Sequence, residues 1–330
     1  MKSSLVQRIE REDLVMFVNA GFACTGQREF YGDAHGQRVS IGFLHEYILG
    51  NYRRLYARCL AAGLNHFNQA LIISNLLATG DHTPRSLRAE EGELLFAALN
   101  ALPTQRAYRV LAGLRERKIN NRRTRAVVRR YLASRGDLTF DALKYRAKLR
   151  SAVAHCHLSL PGECGKFLFE CRHQRRFETP LFESYRSARY SKSALYDLPF
   201  TVAEGFAARH GVSRAGFLRE IEHQMTVGEK LRQQQAAARG QLSLQMDLGR
   251  VGLTRLASYA LGLSVREREA ARGRLEAAFE AAARRALRRS PQRLGRVAAI
   301  LDRSYSSAGS SEKRRRPLAV AWAASRILRL

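Results

Sequence analysis

The chain has 330 residues, 45% of them hydrophobic, and its 57 Lys and Arg residues against 29 Asp and Glu residues give a formal net charge of +28. That length leaves room for about two domains with sizeable cores. An excess of positive charge this large favours a polyanionic partner, nucleic acid above all. The basic residues are spread over most of the chain, and no apolar stretch approaches the ~20 residues that span a bilayer, so a membrane partner is not expected.

The N-terminus and the cysteines indicate the compartment. The first residues carry Glu10, Glu12 and Asp13 and no apolar core, which argues against a secretory signal. The five cysteines are an odd number at irregular spacing, so we expect reduced thiols and a cytoplasmic protein.

Residues 1–42 contain glycines at intervals that are typical of turns, and we expect this segment to be irregular. From Phe43 to about residue 290 the apolar positions recur at helical spacing. Helices of roughly 12 to 20 residues with short connections predict antiparallel helix pairs stacked in sequence, a HEAT-like α-solenoid or ring. A compact irregular bundle is the alternative, because no fixed repeat period is visible.

The segment from Asn120 to Leu132 is the most basic helical element. At about 100° per residue its apolar side chains share one face and its arginines share the other. The arginines are Arg122, Arg125 and Arg129 at the centre of the polar face, with Arg123 and Arg130 at its flanks. No carboxylate is interleaved with them, so we expect them to bind phosphate, whose oxygens the guanidinium fork matches. A solvated helix face is the alternative.

Further basic and aromatic residues follow this helix. They are Lys144, Tyr145, Arg146, Lys148, Arg175, Arg176 and Arg189. A tyrosine beside Lys and Arg offers a stacking surface for unpaired bases, which is how single-stranded RNA is usually bound. A tyrosine at helical spacing can instead belong to the core.

The last 35 residues change character. Residues 297–301 are a continuous apolar run, typical of a strand buried on both faces of a parallel sheet. Asp302, Ser304 and Ser306 follow it, and Pro317 opens a helical run. One carboxylate and two hydroxyls suit a hard divalent cation such as Mg²⁺, whereas an ordinary serine-rich turn is the alternative.

This strand, loop and helix resemble the start of a von Willebrand factor A domain, with Asp302, Ser304 and Ser306 at the first three ligand positions of its metal-ion-dependent adhesion site. The family's remaining ligands, a Thr and a second Asp, come from loops further downstream. The resemblance therefore implies an A domain that is incomplete after its first motif, with weak or absent Mg²⁺ binding.

The order of a long helical region, an Ala-Leu-Lys-Tyr-Arg segment and an A-domain start is similar, over residues 100–330, to TROVE-domain proteins, the Ro autoantigen family. Lys144, Tyr145 and Arg146 match a segment of that family, whereas residues 1–42 have no counterpart in it. The resemblance implies a ring of HEAT-like repeats that binds small noncoding RNA.

Catalysis has little support, because motifs for nucleotide phosphates, acyl transfer or zinc hydrolysis are missing from the sequence. The cluster of Glu90, Glu91 and Glu93 is expected at a helix start, where acidic residues interact favourably with the helix dipole. The Cys and His residues between 155 and 173 lack the paired spacing of structural zinc sites.

The sequence thus predicts an irregular segment at 1–42, a TROVE-like helical domain at 43–290 and the start of an A domain at 296–330. We expect a non-enzymatic ribonucleoprotein scaffold that holds structured or single-stranded RNA and works with a ribonuclease or another RNA-processing protein. The alternative is a protein-interaction adaptor that uses a metal-dependent A-domain loop and pairs with an ATPase chaperone.

Overall fold

A computed structural model describes residues 4–26, 33–288, 295, 298, 300–301 and 315–328. Eighteen α-helices and a few short 3-10 turns lie in these ranges, and none of the described residues belongs to a strand. The prediction of a mainly α chain is confirmed. Two compact units are distinguished: Met1–Gln27 with Asp33–Ser191 form unit 1, and Arg28–Gly32 with Lys192–Leu330 form unit 2.

Unit 1 contains the first eleven helices of the described residues. They are α1 (Ser4–Ala23), α2 (Ala34–Asn51), α3 (Arg53–Arg58), α4 (His66–Ala78), α5 (Arg88–Ala101), α6 (Thr104–Glu116), α7 (Arg122–Ala133), α8 (Leu138–Lys144), α9 (Arg146–His155), α10 (Cys164–Phe169) and α11 (Pro180–Ser187).

Most of these helices alternate between two layers. In one layer α2 packs on α4, α4 on α6 and α6 on α9, and in the other α3 packs on α5 and α5 on α7. Helices α6 and α9 run parallel, because Tyr108 stacks on Tyr145 and Arg115 further along donates to Ser151. Each helix thus contacts its near neighbours in the chain, which is the stacking of an α-solenoid.

The core of unit 1 is rich in aromatic side chains, and the polar groups of Tyr108, Tyr56 and His45 are hydrogen-bonded, whereas the buried Tyr131 hydroxyl has no partner among the described residues. Tyr108 is fully buried, its ring centroid lies 6.1 Å from that of Tyr131, and its hydroxyl donates to Asp141 at 3.0 Å. His45 is also fully buried, with Nδ1 at 2.7 Å from the Tyr56 hydroxyl. Buried polar groups need such partners, because an unpaired one costs about 1–3 kcal/mol.

The expectation of irregular structure over residues 1–42 differs from the structure, which has α1 at Ser4–Ala23 and α2 from Ala34 onward. Gly21 lies inside α1, where a Cβ atom would come within 3.2 Å of Leu64, so this glycine permits close packing instead of a turn. Phe17 is fully buried. Asp33 caps α2 by accepting hydrogen bonds from the backbone of His35 and Gly36. Tertiary packing and a cap therefore outweigh the turn propensity of glycine.

Unit 2 contains seven helices among its described residues. They are α12 (Phe200–Arg209), α13 (Arg214–Ile221), α14 (Val227–Arg239), α15 (Leu253–Gly262), α16 (Val265–Ala270), α17 (Arg272–Leu287) and α18 (Arg316–Leu328). Helix α18 packs on α15 and α17, and the Trp322 ring meets the Phe279 ring edge-on at 4.2 Å between centroids.

The predicted A-domain start at the end of the chain is not shown by the described residues. Within the predicted strand, Ala298, Ile300 and Leu301 are described, and none of them lies in a strand. Ile300 is 95% exposed. A strand needs neighbours to pair its backbone, and the described residues offer none. The predicted metal ligands Asp302, Ser304 and Ser306 lie outside the described residues. The division between the units falls at residue 191, whereas the sequence places a boundary near residue 290.

Candidate nucleic-acid interface

Helix α7 forms where its local signals predict a helix. The Asn121 side chain caps it by accepting from the Thr124 backbone N–H at 2.8 Å. Val127, Val128 and Tyr131 are buried on one face, which packs on α5. This anchoring directs the opposite, arginine-bearing face to solvent.

The centre of that face is as the sequence predicts. Arg122, Arg125 and Arg129 are exposed, and none of the three is ion-paired with a carboxylate in the described part of the chain. We call these three residues the arginine row. Their guanidinium groups are available to bind an external anion.

The flanking arginines are engaged differently, with carboxylates of α5. Arg123 Nη1 lies 2.7 Å from a Glu91 oxygen, and Arg53 Nη2 lies 2.9 Å from the same oxygen. The Glu91 side chain is only 2% exposed, so Arg53, Glu91 and Arg123 form a buried triad. Burial lowers the pKa of Arg123, but an arginine remains charged in this setting.

The other two glutamates of α5 pair at the surface. Glu90 accepts from Arg58 at 2.6 Å and from Arg54 at 3.0 Å, and the hydrogen bond from Arg58 is the main cause that lowers the pKa of Glu90. Glu93 accepts from Arg130, which likewise lowers the pKa of Glu93. Glu90 and Glu91 lie in the first turn of α5, as expected. Five arginines thus meet three glutamates at this seam, which leaves it positively charged.

A groove of about 490 Å³ lies between α5 and α7. Its lining is Gly80, Asp81, Arg88, Gly92, Phe96, Arg122, Arg123, Ala126, Val127 and Arg130. Four arginines therefore surround a largely apolar floor, with one carboxylate. We call this feature the α5–α7 groove.

Arg130 is held in a fixed orientation beside this groove. Its Nη1 and Nη2 donate to the two oxygens of Glu93 at 2.6 and 2.8 Å. Its guanidinium carbon lies 3.9 Å from the centroid of the Phe96 ring. The edge of the guanidinium is thus occupied by a carboxylate and one face by an aromatic ring.

The predicted Lys144, Tyr145 and Arg146 make internal contacts. The Lys144 ammonium lies 5.3 Å from the Phe140 ring centroid. Tyr145 is partly buried and stacks on Tyr108 at 5.2 Å, so the alternative of a core tyrosine fits its position. Arg146 donates to the Phe167 carbonyl at 3.3 Å and packs on its ring.

The remaining predicted residues lie apart from the arginine row in the chain. Arg175 and Arg176 are exposed in the connection between α10 and α11, and Lys148 is half-buried. Arg189 packs over the Tyr185 ring at 5.6 Å, on which Arg146 also packs. These contacts favour structural roles for Arg146 and Arg189.

Sequence reasoning missed Arg88, Gly92 and Phe96, which line the α5–α7 groove. The available signal is their spacing of four residues, which places them on one face of α5. A glycine between a cation and an aromatic ring on one helix face leaves a concavity. A Cβ atom at Gly92 would meet nothing within 4 Å.

No family model, curated protein or solved structure matches the chain. The resemblance to TROVE and A domains therefore depends on the residues quoted above. In the described ranges no helix is long and apolar enough to cross a membrane. The same residues hold no group of three or more His, Cys, Asp or Glu arranged to bind a metal.

Proposed function

We propose that this protein is an RNA-binding scaffold whose contact surface is the arginine row together with the α5–α7 groove. The observation that carries the proposal is the exposure of Arg122, Arg125 and Arg129 without an ion-pair partner among the described residues. A helix face that carries several arginines and no carboxylate matches a phosphate backbone, because each guanidinium can donate two parallel hydrogen bonds to phosphate oxygens.

The length and the surroundings of the arginine row favour a long polyanion as the ligand over a small anion. Arg129 lies seven positions after Arg122, which at 1.5 Å per residue makes the row about 10 Å long. A row of this length can contact more than one phosphate of a nucleic-acid strand. The carboxylates of the adjacent α5 seam are already paired with other arginines, so they do not offset the row.

The finer assignments extend this proposal. The layered stacking of unit 1 supports HEAT-like repeats, and the resemblance to TROVE-domain proteins suggests small noncoding RNA as the ligand and an RNA-processing protein as a partner. Mg²⁺ binding at Asp302, Ser304 and Ser306 is a separate proposal. Calorimetric titration of Mg²⁺ into the full chain and into Asp302→Ala tests it. The heat of Mg²⁺ binding should disappear in the variant only if the cation binds at this motif.

The main test is the salt dependence of binding to a fluorescently labelled single-stranded RNA. Each neutralised phosphate contributes about −0.7 to the slope of log affinity against log salt on a single strand, so about six contacts predict a slope near −4. The triple variant Arg122→Gln, Arg125→Gln, Arg129→Gln should make the slope shallower by about 2 and should leave the melting temperature nearly unchanged.

The matched control removes the same charge elsewhere. Arg266, Arg268 and Arg274 of unit 2 are exposed, and their replacement by Gln should change the slope less than the row variant does. A flat salt dependence in the wild type would contradict RNA binding. Equal losses in the two triple variants would contradict its placement on α7.

A further inference from the structure

We infer that the α5–α7 groove holds one unpaired base of the bound strand, stacked on the guanidinium of Arg130. This inference rests on the proposed RNA binding and assigns to the groove a chemical class of ligand, a nucleobase with its phosphate. Three features carry it: the orientation of Arg130, the distribution of charge around the groove and the space at Gly92.

Arg130 is a preformed stacking platform. The bidentate contact with Glu93, at 2.6 and 2.8 Å, holds its guanidinium plane, and Phe96 covers one face at 3.9 Å. The Arg130 side chain is nevertheless 49% exposed. With its donor edge on Glu93, Arg130 offers a ligand the face opposite Phe96, and guanidinium planes stack on nucleobases. Glu93 occupies the Nη1–Nη2 edge of the guanidinium, and a base can stack on the face opposite Phe96 without displacing it.

The donors for the phosphate are other arginines of the groove. Arg122 is exposed, and it belongs to both the groove and the arginine row. Arg88 is exposed and uses its Nε to donate to the Thr83 carbonyl at 3.1 Å, so the N–H groups of its two terminal nitrogens remain to donate to a phosphate. Asp81 is the carboxylate of the lining, which leaves an excess of positive charge for a phosphate beside the base.

The space in the groove fits this ligand. Its volume of about 490 Å³ lies within the range of small-molecule sites, which are mostly apolar with a few placed polar groups. Ala126, Val127 and Gly92 line the apolar part. A Cβ atom at Gly92 meets nothing within 4 Å, so a side chain can start there without a backbone clash and extend into the groove.

The test compares two probes on the full chain: a short labelled oligonucleotide, and the same oligonucleotide with abasic sites that keep every phosphate. Arg130→Lys keeps the charge but removes the plane. It should weaken binding of the base-containing probe by about tenfold, as expected for the loss of one stacking contact, and change binding of the abasic probe less than twofold.

A second variant tests the groove by filling its space. Gly92→Leu should produce the same selective loss by occupying the space of the base, and leucine is a better helix former than glycine, so folding is preserved. Arg122→Gln should weaken both probes equally, because it removes a phosphate contact. The matched control is Arg284→Lys, whose exposed partner Glu280 lies 2.6 Å away; it should affect neither probe.

The outcomes separate the two proposals. Salt-dependent binding of both probes, with Arg130→Lys and Gly92→Leu affecting them equally, would overturn the base site while RNA binding stands. Equal affinity of the wild type for the two probes would also overturn it. Failure of the wild type to bind either probe would overturn RNA binding and the base site together.

Discussion

Glu91→Gln is expected to destabilise unit 1 strongly, because Glu91 is the anion at the centre of the buried triad. Its carboxylate accepts from Arg53 Nε at 3.0 Å and from Arg123 Nη1 at 2.7 Å. The two arginine side chains are 14% and 16% exposed. Glutamine keeps the size of the side chain but removes the charge, so two guanidinium groups would remain close together with little access to water.

The magnitude follows from this burial. Removal of one partner of a buried ion pair costs about 3–5 kcal/mol, since the remaining charge is left uncompensated. In a folding unit of about 150–250 residues, each kcal/mol lowers the melting temperature by about 2–4 °C. We therefore expect Glu91→Gln to lower the melting temperature of unit 1 by about 10 °C.

Circular dichroism melting of Glu91→Gln beside Glu93→Gln measures this effect. Both substitutions lie on α5, but the pair of Glu93 with Arg130 is exposed, 68% and 49%, and exposed ion pairs contribute little to stability. Glu93→Gln should therefore melt close to the wild type. Similar small shifts in both variants would refute the conclusion that Glu91 is a buried counterion.

The remaining predictions concern pH. Burial lowers the pKa of the fully buried His45, so the folded state favours the neutral ring. The free energy of unfolding should therefore fall as pH drops below 6.5, the ordinary pKa of histidine. Urea unfolding midpoints near pH 7.5 and pH 5.5 test this. A decrease of the midpoint in His45→Gln as large as that in the wild type would contradict it. The hydrogen bond from Arg186 lowers the pKa of Glu183 to about 2. The stabilisation of the fold by the ionised Glu183 is complete above pH 4.5 and is lost as pH falls toward 2. Glu183→Gln should abolish this loss of stability in acid, and an unchanged loss would assign it to other groups.

The parts of the site that sequence predicts are those set by local signals. A cap at Asn121 and the spacing of Val127, Val128 and Tyr131 determine which face of α7 is buried, so the exposure of the arginine row follows from the sequence. The helical character of the chain is predictable for the same reason, because amphipathic spacing is a local pattern.

The parts that sequence misses depend on residues that are distant in the chain. The partners of Arg123 and Arg130 are Glu91 and Glu93, more than thirty residues earlier, and they meet only because α5 and α7 stack. The Tyr145 ring likewise stacks on Tyr108 of α6, which lies far from it in the chain. Such pairings follow from the order of helices in the stack, which composition and periodicity do not determine.

The glycines near the N-terminus show the same limit. Gly21 permits contact with Leu64, about forty residues away, whereas its local sequence is typical of a turn. A glycine required for close approach and a glycine required for a turn look alike until the partner surface is known.

Ultraviolet cross-linking of a 4-thiouridine-substituted single-stranded RNA to the full chain, followed by mass spectrometry of the linked peptides, tests the central claim most directly. RNA held on the arginine row and in the α5–α7 groove should give cross-links concentrated in residues 80–135, and these should diminish in the Arg122, Arg125 and Arg129 triple variant. Cross-links confined to unit 2, with residues 80–135 unlabelled, would contradict the placement of RNA on α7.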